Sequence, residues 1–300
     1  MSWLNSFELM CYIIVAILII SLIKKKDYNS LFVFASAALV GYFMELAAVA
    51  VTDIYHYNQD FWLNMGVAPK QFPVFGGLMW GGLTVCGIKL AEKLKFGKLM
   101  TAFSAGMFIV TMDILLDVVA IRLDGGFWTW VGNPINYEVT QSTFLSVIWV
   151  NFLGYMIETP AVVMFTQIKC EKIKDNDYKK QVIASVLIAL SAIVITAVGS
   201  LAALGLNILT NNWFSCILFS LIWVFMALNI IIKMVKEKLL PINIKNWNFP
   251  MIIFWLAMYL YCIFAMIHLG IVKDLTWFFI VGLIFTNFTF YVSISEGNDK

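Results

Sequence analysis

The sequence predicts an all-α fold, a polytopic membrane helical bundle of about nine transmembrane helices, with eight also possible. Three observations carry this: an apolar composition, unbroken apolar runs of spanning length, and lysines confined to alternate loops. Of the 300 residues, 62% are hydrophobic and only 13% charged, and the mean hydropathy is +0.88. A water-soluble globule carries roughly a quarter charged residues, so composition excludes that class. Crossing about 30 Å of hydrocarbon takes on the order of 20 apolar residues per helix, and only helices or closed barrels satisfy the backbone there. The runs are continuous rather than alternating, which selects helices.

The expected spans, in order, are residues 7–23, 31–51, 73–90, 99–121, 143–168, 182–206, 213–232, 249–272 and 276–294. The first lacks a basic leader and a small-residue cleavage site, so it is expected to remain as a span. Nothing in the chain resembles a soluble domain, and residues 1–300 are expected to form a single integral membrane domain. Lysines follow spans one (Lys24, Lys25, Lys26), three (Lys89, Lys93, Lys95, Lys98), five (Lys169, Lys172, Lys174, Lys179, Lys180) and seven (Lys233, Lys236, Lys238, Lys245). The alternate loops hold only Lys70, Arg122 and Lys273. Basic residues are retained on the cytoplasmic side, which gives a multi-pass cell-membrane protein with its N-terminus outside and its C-terminus inside. The lysines then face membrane lipids rather than a nucleic acid. The five cysteines, Cys11, Cys86, Cys170, Cys216 and Cys262, are scattered and form no C-x-x-C pair, so neither a disulfide framework nor a zinc site is expected.

Against this apolar background the acids stand out. Asp113 and Asp117 lie one turn apart in span four, Glu45 in span two, and Asn151 and Glu158 in span five. At about 1.5 Å per residue, the assigned orientation puts most of them in the outer leaflet. Residues four apart share a helix face, as residues seven apart nearly do, so Asp113 and Asp117 point one way, and Asn151 and Glu158 share a direction. Two carboxylates that close in low dielectric repel, leaving one able to act as a general acid near neutral pH. A competing structural reading pairs Asp117 with Arg122 or Lys70 at a helix end. Asp113 and Glu45 have no obvious cation, and an intramembrane acid without one is read as functional.

Aromatic residues need the same weighing, because Trp and Tyr belts mark any membrane interface. Trp62, Trp149, Trp213, Trp247 and Trp277 fit that reading. Trp80, Phe127, Trp128, Trp130, Tyr137 and Tyr155 instead cluster in sequence around the acids, where their ring faces can stabilise a cation. Gly77 and Gly81 form a small-xxx-small pair suited to close helix packing. His56 reads as a loop residue and His268 as a hydrogen-bonded core histidine. Spans six to nine hold no intramembrane acid, so residues 31–160 are expected to bear the site and 181–295 to be scaffold. No metal-ligand set and no cofactor motif is read.

An ordered set of residues resembles the carotenoid biosynthesis membrane protein family, which includes carotenoid hydratases of the bisanhydrobacterioruberin type. The set comprises Glu45, Tyr55, Tyr57, Pro73, Trp80, the run Asp113-Ile114-Leu115-Leu116-Asp117, then Gly126-Phe127-Trp128-Thr129-Trp130, Tyr137 and Asn151-Phe152-Leu153-Gly154-Tyr155. The chain departs from the family pattern at Val118, where Pro is usual, at Ile148-Trp149-Val150, where a Gly-Val-Pro element is usual, and at Tyr155, where Trp is common. The resemblance implies a membrane-embedded lyase that protonates a terminal double bond of an apolar polyene or other isoprenoid lipid. Water or an internal double bond then captures the cation. It implies Asp113 or Asp117 as proton donor, Glu45 assisting, Asn151 placing water, and Trp80, Trp128 and Trp130 flanking the cation.

Two other classes fit parts of the pattern. An intramembrane prenyltransferase also uses D-x-x-x-D, to hold magnesium and a diphosphate, but needs a second acidic motif and nearby cations that this chain does not offer. A transporter relaying protons or cations also buries acids, although matched broken helices in two halves are not evident here.

Overall fold

A computed structural model describes residues 2–173, 177–236 and 247–295. Among them the chain forms nine long helices, one short one and three two-stranded ribbons. The helices are α1 (Trp3–Lys24), α2 (Tyr28–Val51), α3 (Val74–Glu92), α4 (Lys98–Ala120), α5 (Trp149–Lys172), α6 (Tyr178–Leu209), α7 (Trp213–Lys236), α8 (Phe249–His268), the short α9 (Ile271–Asp274) and α10 (Thr276–Ile294). Eight of them are long and apolar enough to cross a membrane. The exception among the long helices is α5, of 24 residues, whose Asn151, Glu158 and Gln167 lower its hydropathy. The chain is therefore a multi-pass, membrane-embedded helical bundle.

At the centre stands α4, where every residue from Ser104 to Ala120 is buried. A helix enclosed on all sides needs no polar face, so Asp113 and Asp117 are not there for solvation. Outward faces of α6 and α7 expose Leu187, Leu190, Val194, Leu201, Leu221 and Phe225, as lipid contact requires. α2 and α3 pack closely because a β-carbon at Gly77 would overlap the Tyr42 ring, and one at Gly81 would come within 2.8 Å of Phe34. Gly41 in turn leaves room for the Trp80 ring.

One end of the bundle carries a small β roof, which the sequence reading did not anticipate. β1 (Tyr55–Tyr57) pairs antiparallel with β4 (Trp128–Trp130), and β2 (Asn64–Val67) with β3 (Lys70–Pro73). β5 (Thr143–Phe144) and β6 (Val147–Ile148) form a hairpin whose two turn residues, Leu145 and Ser146, have φ of 50° and 73°. Such a turn matches the twist of a tight hairpin. For that reason α5 begins at Trp149, not near residue 143. Likewise α8 stops at His268, two residues before Gly270 takes a left-handed φ of 74°, rather than running to 272.

Polar side chains tie the roof to the helices. Glu8, fully buried in α1, accepts from the Trp62 and Leu63 backbone N–H groups at 2.7 and 3.1 Å and from the Tyr12 hydroxyl at 3.0 Å. Asp124 accepts from the Leu4 N–H at 2.7 Å. At the opposite end, Lys93 Nζ donates to the carbonyls of Val292, Ser293 and Ser295. There Asp27 caps α2 through Ser30 and pairs with Lys89 at 2.9 Å. The described lysines of the basic loops collect at this end, whereas Lys174, Lys238 and Lys245 lie outside the described residues. Cys11, Cys86 and Cys262 are buried free thiols and Cys216 is partly buried; the Cys170 side chain is outside the described set. His268 is exposed at the end of α8, its ring 5.0 Å from Trp3, and is not a core histidine. Trp149, expected at an interface, is buried and donates to the Thr140 carbonyl at 2.8 Å.

Removing the Glu8 acceptor leaves two roof amides unmet, so Glu8→Ala is expected to cost about 2 kcal/mol in reversible unfolding; an unchanged unfolding free energy would contradict the clasp. Burial pushes the Asp27 carboxyl up, but the Ser30 hydroxyl and Lys89 outweigh it and hold the group below its ordinary value. A depressed carboxylate stabilises above its unfolded pKa and loses that contribution as pH falls through the folded value. Asp27→Asn is therefore expected to lower Tm at pH 6, with the gap from the native chain closing as pH falls from about 5 to about 2.

Candidate functional site

The strand period of two builds the ceiling of the site. Tyr55 and Tyr57 leave β1 on one face while His56 leaves on the other, and in β4 Trp128 and Trp130 are likewise separated from Thr129. Register sets Tyr55 opposite Trp130 and Tyr57 opposite Trp128, with ring centroids 5.0 and 5.9 Å apart. These four aromatics close a chamber of about 90 Å³, space for several water molecules. Its floor and walls come from α2, α3, α4 and α5, with Phe7 of α1 and Met258 of α8 completing them.

Three carboxyl groups face this chamber. Glu45 Oε2 accepts from the hydroxyls of Tyr55 and Tyr57, the latter at 2.9 Å. Burial, and then the neighbouring Glu45, push both phenols well above their ordinary value, so they remain donors at any physiological pH. Asp113 and Asp117 are each 3% exposed. Asp113 Oδ1 accepts from the Tyr155 hydroxyl at 3.0 Å, and Asp117 Oδ2 from the Asn151 amide at 2.6 Å. Asp113 Oδ2 and Trp130 Nε1 are buried without a partner among the described residues. The Trp80 and Tyr155 rings stack at 4.9 Å and 17°.

The structure thus brings together Glu45, Asp113, Asp117 and Asn151, and with them Trp80, Trp128, Trp130 and Tyr155. It does not bring Phe127 or Tyr137 to the chamber. Phe127 is fully buried behind the wall, packed on Phe7 and Phe61, because it falls just before the strand that delivers Trp128. Tyr137 lies under the Arg122 guanidinium, 4.9 Å from ring centroid to Cζ. Arg122 donates to the carbonyls of Val118, Asn136 and Leu145, and Lys70 pairs with Asp53 at 3.1 Å. Neither cation meets Asp117, so the helix-end reading of that residue is not what forms.

Among the described residues, no Lys, Arg or His lines the chamber. Nor do any three His, Cys, Asp or Glu among the described residues group closely enough to hold a metal ion. Tyr55 and Tyr57, whose hydroxyls hold Glu45, stand in the sequence only within the set that carries the family resemblance, with no role in the site read for them. Their signal was the alternating Tyr-His-Tyr and Trp-Thr-Trp triplets, a strand pattern too short to assert itself beside the apolar runs.

No family model, curated protein or solved structure matches the chain. The site is accordingly read from its own geometry.

The Tyr57 bond to Glu45 is open to a double-mutant cycle. Tyr57→Phe and Glu45→Ala are each expected to destabilise, and the double variant to fall short of their sum by about 1 kcal/mol. Strict additivity would mean the two groups do not interact.

Proposed function

We propose that this chain is a membrane-embedded enzyme of isoprenoid or carotenoid modification, which starts its reaction by protonating a terminal double bond. The observation that carries this is the chamber itself: paired aspartates, no cation among the described residues lining it, and aromatic side chains around the remaining space. Two buried carboxylates one turn apart cannot both hold charge cheaply, so the pair retains a proton. Asp113, which lines the chamber and whose buried Oδ2 has no partner among the described residues, is the donor in this reading. Asp117, fixed by Asn151, is the partner charge.

In the proposed step the Asp113 O–H bond and the alkene π bond break and a C–H bond forms at the less substituted carbon of the terminal double bond, leaving a tertiary carbocation beside the Asp113 carboxylate. Trp80, Trp128 and Trp130 present π-faces that stabilise the cation. Water then forms the C–O bond and returns a proton to Asp113. The chamber is far smaller than a long polyene, so only the chain end enters it and the remainder lies outside. A polyene is as apolar as the bilayer, and needs no aqueous route to the protein. The roof is read as the external end and the lysine-rich end as cytoplasmic, in the cell membrane.

A diphosphate substrate fits poorly, because no cationic side chain among the described residues lines the chamber to meet phosphate charge.

Expression in a lycopene-producing host, followed by pigment mass analysis, tests the reading. Hydration adds 18 mass units, roughly one water, per reacting end, and general-acid loss predicts that Asp113→Asn lowers conversion by at least about 100-fold. Unmodified pigment from a well-inserted native chain, or conversion that survives Asp113→Asn, would overturn it.

A further inference from the structure

A second polar cavity, of about 130 Å³, lies between α2, α5 and α6. It abuts the chamber, and Glu45, Tyr55, Trp80, Asn151 and Tyr155 line both. Its far side carries Glu158, Thr196 and Ser200. Glu158 is 6% and Thr196 2% exposed, yet Glu158 Oε1 and Thr196 Oγ1 have no partner among the described residues. A buried polar atom left unmet is destabilising. Helix neighbours could have supplied apolar residues here at no such cost. A cavity of this size with several donors and acceptors suits ordered water, which makes about three hydrogen bonds per molecule.

We propose that this cavity is a water port: it holds water on Glu158, Thr196 and Ser200 and delivers it past Glu45 to the acid chamber. The proposal rests on the reading of the chamber as a site of alkene protonation, and deepens it by naming where the water is held and how it enters. Hydration consumes one water per double bond, whereas cyclisation consumes none, so a built water supply assigns the reaction to hydration. Water enters as H₂O; its oxygen bonds to the tertiary carbon, one proton goes to the Asp113 carboxylate, and no oxidant or reductant is needed. Glu158 positions that water and does not touch the reacting carbons.

Gly154 offers the means of testing this. It lines the port, and a β-carbon there would meet nothing within 4 Å, so the side chain of Gly154→Leu starts into free space and adds bulk to the cavity. The first readout is independent of enzymatic activity. Thiols react as thiolates, which form only where water reaches them, so Ser200→Cys is expected to react with a charged methanethiosulfonate about tenfold faster than Leu201→Cys on the lipid-facing side. The blank is the native chain with its own cysteines. Adding Gly154→Leu is expected to remove that advantage. Equal rates at the two positions, or an undiminished rate with the added leucine, would overturn the port.

The second readout is pigment mass in the lycopene host, where Gly154→Leu and the isosteric Glu158→Gln are each expected to cut the hydrated product severalfold. Fast Ser200→Cys labelling with no pigment conversion by the native chain would keep the port and discard the hydration reading. Native hydration with slow labelling and unimpaired Gly154→Leu would do the reverse. If Gly154→Leu fails to insert, Glu158→Gln and the labelling of Ser200→Cys still decide the matter.

Discussion

Three carboxyl groups held inside a membrane by neutral donors alone are the constraint on which the rest of the structure depends. Glu45 is met by two tyrosine hydroxyls, Asp113 by a third and Asp117 by an amide. An arginine or lysine in their place would have given ordinary buried ion pairs, stable and chemically quiet. Phenols and an amide satisfy some lone pairs without removing the charge problem. One oxygen of Asp113 is left buried without a partner among the described residues.

Holding that arrangement requires a rigid surround. The enclosed α4 fixes the aspartate pair, and Pro160 and Tyr155 belong to the α5 helix packed beside it. The roof has to stay seated, because Tyr55 and Tyr57 hold Glu45 only while β1 stays paired with β4. Glu8 and Asp124 fasten the roof and its neighbouring turn to α1, which explains a buried glutamate that has no part in the chamber. Glu8 differs from the acids of the two cavities: its oxygens are occupied by backbone amides, whereas Asp113 and Glu158 each keep one oxygen unpartnered among the described residues.

Much of this was legible in the sequence for identifiable reasons. Helix placement follows apolar run length, and the convergence of Glu45, Asp113, Asp117 and Asn151 follows from helix depth combined with the i, i+4 face rule. What escaped was decided over a few residues. The Tyr55–Tyr57 and Trp128–Trp130 strands are three residues long, and their pairing spans 71 to 75 positions of sequence, which no local pattern reports. Phe127 and Tyr137 look equivalent to Trp128 in a list of nearby aromatics, yet one residue of strand phase turns Phe127 away, and Arg122 claims Tyr137. Glu158 was visible as a deep acid in sequence, but its place in a second cavity depends on Thr196 and Ser200 from a helix whose composition reads as scaffold.

Infrared difference spectroscopy of the purified protein at neutral pH addresses the aspartate pair most directly. The native-minus-Asp113→Asn spectrum is expected to contain a carbonyl band of a protonated carboxylic acid that shifts in heavy water. A difference spectrum showing only ionised carboxylate bands would mean that Asp113 is charged at neutral pH, and its assignment as the proton donor would fail.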